Sequence, residues 1–183
     1  MGAIRAVAVA GVLLLVAGCG FHPLNGHDTE GASTVADMAQ VKIGEIDEVY
    51  TKDQVFQANA RYDQILRNRL LDRFNPDGEP SAPAYVLRVN LSEASTETGI
   101  QPDGTAARTD VSVSAHFRLI KLMTGILVTE GDSASINSYP IVINSYATLV
   151  DSQDAQKRAV LSVADDIARR VALYFHAQDG ENR

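Results

Sequence analysis

The sequence predicts an α+β domain: a two-layer sandwich in which a roughly four-stranded sheet is covered by two helices, in the order β-α-β-β-β-α. Three observations predict it. Residues 85–92 and 110–119 alternate apolar and polar with period two, the mark of strands with one buried and one wetter face. Residues 155–174 repeat apolar positions at helical spacing, and a second such pattern over residues 56–74 precedes the strands.

The elements follow in order. Arg5 supplies a positive n-region, and Ala6 to Ala17 is almost wholly apolar. Twelve helical residues reach about 18 Å, short of the roughly 30 Å of a bilayer core. The run therefore reads as a signal peptide over residues 1–18. Val16-Ala17-Gly18-Cys19 resembles the bacterial lipobox, in which a diacylglycerol is attached to the cysteine thiol before cleavage, and the chain holds one cysteine, at that position. Cys19 is accordingly the lipidation site. Residues 19–40 mix Gly, Pro, Asn, Ser and Thr and read as a lipidated N-terminal tether with little regular structure. Residues 41–183 form a single α/β domain.

Within that domain, Val41 to Ile46 alternates weakly and suggests a first strand. In the helix that follows, Ala58, Tyr62, Ile65, Leu66 and Arg69 share one side, while Arg61, Asp63, Arg67 and Asp72 face out. Asn75-Pro76-Asp77-Gly78 stops it. Tyr85, Leu87, Val89 and Leu91 mark the core face of the next strand. After the turn at Gln101-Pro102-Asp103-Gly104, Val111, Val113, Ala115, Phe117 and Leu119 mark the core face of another. A third run from Ile126 to about Tyr139 completes a meander, and Pro140 to Val150 is a connection of undefined shape. Asp151 or Ser152 then caps a closing helix, with Asp154 in its first turn.

Composition bounds the function. Removal of residues 1–18 leaves 165 residues, enough for one sizeable core. Loss of Arg5 takes the formal net charge from −7 to −8. An acidic chain with no basic tail argues against nucleic acid as a partner, because phosphate binding needs a positive footprint. With Cys19 acylated no disulfide can form. No second apolar run approaches spanning length, so the acyl chains must hold the chain to a membrane.

A search for chemistry finds none assembled. The four histidines lack metal-ligand spacing, and no Gly-rich phosphate loop or nucleophile elbow occurs. Neither a metal nor a cofactor is expected. Asp165-Asp166 reads as a solvated helix face, because adjacent helical residues point about 100° apart. His116, Asp110 and Ser112 share a strand face, which reads as a polar sheet surface and not as a triad. Arg88 and Arg118 share the polar face by parity, with Arg108 and Lys121 near the ends of the second of these strands. Exposed strand charges that blunt edges are the simpler reading of these four, and cations that meet the phosphates of an anionic ligand are the sharper one.

Cys19-Gly20-Phe21-His22-Pro23-Leu24 resembles the start of mature lipoproteins of the LptE lipopolysaccharide-assembly family, in which Gly-Phe-x-Pro-Leu follows the lipidated cysteine. Asn25 departs from the Tyr usual there. The order of elements is also similar, as is Ser145-Tyr146-Ala147 ahead of Asp154-Ala155 and a closing amphipathic helix. The resemblance covers most of the mature chain, and its distinctive part is Gly20, Phe21, Pro23 and Leu24. It implies a binding and assembly role without catalysis. The lipoprotein would partner and plug the outer-membrane β-barrel LptD and assist insertion of lipopolysaccharide into the outer leaflet. Gly20 in place of Asp fits sorting to the outer membrane. Two other functions stay open: an auxiliary lipoprotein of an envelope lipid-transport ABC system, and a tethered envelope enzyme.

Overall fold

A computed structural model of the chain describes residues 29–48, 60–100 and 106–181. Its elements are α1 (Thr29–Met38), β1 (Val41–Glu48), α2 (Ala60–Phe74), β2 (Tyr85–Ile100), β3 (Ala106–Lys121), β4 (Leu127–Pro140) and α3 (Ser145–Glu181). The predicted signal peptide, Cys19 and the Gly20–Leu24 stretch lie outside the described residues.

The four strands form one sheet in the order β1-β2-β3-β4. β1 runs parallel to β2, as the α2 crossover requires, and β2, β3 and β4 form the antiparallel meander. The register between β1 and β2 shifts between Ile43 and Ile46. Gly44 sits in that irregularity with no room for a side chain, because a Cβ there would lie 3.0 Å from the Leu87 carbonyl oxygen and 3.0 Å from Val86 Cγ2. The freed Gly44 carbonyl accepts a 3.0 Å hydrogen bond from Arg67 Nη1 of α2.

Alternation decides which face is buried. Leu87, Val89 and Leu91 of β2 and Val111, Val113, Ala115, Phe117 and Leu119 of β3 are all buried under the helices. On β4, Gly131 stands opposite Phe117, and its missing side chain leaves space for the ring, whose Cε1 comes 3.1 Å from where a Cβ would be. α2 contributes Tyr62, Leu66, Leu70 and Phe74 to the same core. α3 lies along β3 and β4 and against α2, burying Ala155, Ala159, Val163, Ile167, Val171 and Phe175.

Four expectations are corrected. Within the predicted tether, Thr29–Met38 is a helix packed on α3. Its local helix preference is weak, and burial of Met38 and Thr34 supplies the tertiary support. α3 begins six residues before Asp151, so the last part of the undefined connection is helical. Asn144 caps it, its Oδ1 accepting from the Tyr146 and Ala147 amides at 3.0 and 3.4 Å. On α2 the buried position is Leu70, while Arg69 turns toward α3. Asp165 and Asp166 are not simply solvated: Asp165 pairs with Arg69 and Arg73 across the helices, and Asp166 with Arg169 and Arg170 along α3.

Candidate functional site

Both covering helices pack on one face of the sheet, and among the described residues the outer face has no covering layer. Register lines its side chains up in rows across β2, β3 and β4. One row is Arg88, Arg118 and Glu130; the next is Asn90, His116 and Asp132; then come Ser92, Ser114 and Ala134. The residues opposite them in the pleat fill the core, so core burial itself forces these polar groups outward.

Arg88 and Arg118 are direct register partners, which sets two cations side by side with Cβ atoms about 5 Å apart. Neither forms an ion pair among the described residues, and the buried Nε of Arg118 has no hydrogen-bond partner there. Like charges opposed across strands are unfavourable without a counter-charge, and on its other side Arg118 has Glu130 of β4 as its register partner. The other two candidate cations do not join it. Lys121 ends β3 opposite Tyr85, three residues beyond Arg118. Arg108 lies ten residues before Arg118 on the same strand, about 34 Å away.

His116 engages β4. Its Nδ1 lies 2.8 Å from Asp132 Oδ1, and its Nε2 3.7 Å from Glu130 Oε2. Asp110 is taken up by Ser138, whose hydroxyl donates to Asp110 Oδ1 at 2.6 Å. His116 and Asp110 thus each engage β4, and not one another. Among the described residues no group of three or more His, Cys, Asp or Glu could hold a metal ion. No helix there is long and apolar enough to cross a membrane.

Inside the sandwich, one polar network joins the two helices to the sheet. Gln156 of α3 donates from Nε2 to Glu93 Oε1 at 2.7 Å, and its Oε1 accepts from the Tyr62 hydroxyl of α2. Burial pushes the Glu93 carboxyl above its ordinary range, against the opposing hydrogen bond from Gln156. Burial, assisted by the negative Glu93, pushes the Tyr62 hydroxyl up to about 12. A separate groove of about 590 Å³ lies among the helices, lined by Val35, Met38, Phe74 and Ala172 and by the paired Arg73 and Asp165. Asp72 and Asp77 also line it.

Sequence parity located Arg88 and Arg118 on one face, but not their direct opposition, which depends on register. It missed the acidic partners of His116, because Glu130 and Asp132 belong to a strand whose register could not be read.

The fold recurs in solved structures. A protein described as a lipoprotein from Caulobacter crescentus matches with a TM-score of 0.57 and 21% identity, over 79% of this chain and 96% of that one. A minor lipoprotein from Acinetobacter baumannii matches with a TM-score of 0.51 and 14% identity, over 73% and 90%. A homolog of the neuraminyllactose-binding hemagglutinin from Helicobacter pylori matches with a TM-score of 0.52 and 11% identity, over 77% and 89%. At such identities these likenesses establish the fold alone. No curated protein matches the chain. The lipopolysaccharide-assembly family model LptE matches residues 46–174, from the middle of β1 almost to the end of α3. That match spans well over half of the sequence and takes in α2, β2, β3, β4 and most of α3; the chain is a member of the LptE lipopolysaccharide-assembly family.

Proposed function

We propose that the mature chain, anchored through Cys19 to the periplasmic side of the outer membrane, partners and plugs the β-barrel LptD. It assists insertion of lipopolysaccharide into the outer leaflet and has no turnover of its own. The observation that carries this reading is family membership over residues 46–174. Two physical features support it. The helix-free sheet face is polar, which suits the polar lumen of a large barrel. The distal part of β2 is also polar and open, with Ser95, Thr96 and Glu97 exposed beyond the helix layer. The arginine pair Arg88 and Arg118 is the proposed contact for lipopolysaccharide phosphates, since guanidinium groups bind phosphate through two parallel hydrogen bonds.

Depletion of the protein in its own cell tests the reading. Correctly assembled LptD should fall, and the cell should become permeable to large hydrophobic antibiotics. Normal LptD with an intact permeability barrier would overturn it. Co-purification with an inner-membrane ABC transporter, and no barrel, would assign the chain to lipid transport of the other kind.

A further inference from the structure

Large exposed apolar side chains cluster at two places among the described residues, around Val142, Ile143, Tyr146, Leu149 and Val150 at one end of the sheet and at the β3–β4 turn at the other. Of the two, only the turn has lysines beside it on the neighbouring strands. Leu122, Met123, Ile126 and Leu127 are 45, 89, 62 and 46% exposed, four large apolar side chains in six residues. The turn that presents them is closed by backbone bonds: Lys121 N–H donates to Ile126 O at 2.9 Å and Gly125 N–H to Lys121 O at 2.8 Å. Gly125 adopts φ 67°, a conformation that favours glycine. A defined turn that spends its exposed positions on apolar groups marks an interaction surface.

Charge and chain path indicate what it meets. Lys121 flanks the turn and is exposed, and exposed Lys42 stands opposite Val86 at the same end of the sheet. Arg88 and Arg118 follow one same-face step behind Val86 and Ile120, about 7 Å farther back. Glu130, opposite Arg118, is directed at His116. An apolar tip with cations just behind it is the arrangement of an interfacial anchor at anionic headgroups, carried here on a mature chain that is acidic as a whole. The N-terminal path enters at the same end. Leu122 N–H donates to Ala84 O at 2.9 Å, and Ala84 N–H donates to Gln40 O at 3.0 Å, just past the end of α1. The ten residues from Cys19 to Thr29 reach at most about 35 Å, and α1 adds about 15 Å, so an anchor at Cys19 leaves the tip free to touch the surface that holds it.

We propose that the Leu122–Leu127 turn docks into the headgroup region of the membrane that carries the anchor, with Lys121 and Lys42 at anionic phosphates, and so orients the domain with its β3–β4 end toward the bilayer. This rests on the reading of Cys19 as the lipidated residue. Tethering makes even a weak contact effective, because the second binding step is intramolecular.

The test uses the lipidated full chain in vesicles of phosphatidylethanolamine and phosphatidylglycerol, with phosphatidylcholine vesicles for comparison. An environment-sensitive fluorophore is attached at Met123→Cys, or at the exposed Ile143→Cys at the opposite end of the sheet. The position-123 probe should shift to the blue and lose several-fold of its quenching by iodide, more in anionic than in neutral vesicles, while the position-143 probe stays open. Ile126→Asp should abolish the protection. A chain that floats with vesicles while its position-123 probe remains fully quenched overturns this inference alone. A chain that does not float overturns the anchor and this inference together. Protection without vesicles, growing with protein concentration, overturns it in favour of a second copy.

Discussion

Asp165 of α3 accepts from both Nε and Nη2 of Arg69 of α2, each at 2.9 Å. Arg73, one turn farther along α2, donates to the same carboxylate through Nε at 2.8 Å. The two helices share the core over the sheet, and these charge-assisted hydrogen bonds tie them together at its partly exposed rim.

Asp165→Ala should therefore destabilise the fold by about 1 kcal/mol, the upper end of what partly exposed pairs contribute. Arg69→Ala should cost a similar amount, and the double variant should cost less than the two together. Urea denaturation of all four proteins, at low and high salt, measures the coupling. Strict additivity would show that the contact does no more than decorate the surface.

Acid should remove that contribution. Partial burial works to raise the Asp165 carboxyl, but hydrogen bonds from Arg69 and Arg73 outweigh it and hold it below its ordinary value of 3.8. A depressed folded value means stability that is present above the unfolded one and lost as pH falls through the folded one. Asp165→Asn should flatten the loss of stability below about pH 4. Glu93 works in the opposite sense. Burial raises it above 4.5, so its contribution is complete below that value and declines as pH rises through the raised one. Glu93→Gln should be tolerated better at pH 7 than at pH 4. Melting temperature against pH for each variant decides both.

Ile167→Asp and Val171→Asp should each cost several kcal/mol, because both side chains are fully buried and neither has a partner for a charge. Leu173→Asp, on the 47% exposed side of the same helix, should change stability by less than about 1 kcal/mol. Equal melting temperatures for the three would contradict the helical phase.

Charge reversal at Arg88 and Arg118 together should weaken lipopolysaccharide binding, with a loss that shrinks as salt rises. Arg108→Glu, about 34 Å along the strand from Arg118, should leave it close to unchanged. Binding by titration fluorescence at two ionic strengths reads both effects. Equal effects of the two variants would move the binding site away from the arginine pair.

Cys19→Ser should leave the chain without its acyl anchor, either detached or as an uncleaved precursor. Metabolic labelling with a radioactive fatty acid checks this, and label retained on the variant would place lipidation elsewhere.

How much of this was legible depends on the range of the interactions concerned. The sequence by itself determined the α+β class, the two core-facing strand patterns around Leu87–Leu91 and Val111–Leu119, and the phase of α3 from Ala155 to Val171. These follow from periodicity, because burial acts on each residue through its place in a local repeat. The Gly-Phe-x-Pro-Leu stretch likewise pointed to the family that residues 46–174 match. Tertiary structure decided what local pattern does not encode. α1 is helical because Met38 finds a place against α3, not because its residues favour a helix. α3 starts at Ser145 because Asn144 caps it, a choice among several polar residues that the sequence offers equally. Arg69 and Asp165 stand 96 residues apart in the chain, and the opposition of Arg88 to Arg118 depends on a hairpin register. Both relationships come from packing two surfaces together, and the geometry of that packing is set by the whole core, not by any segment of it.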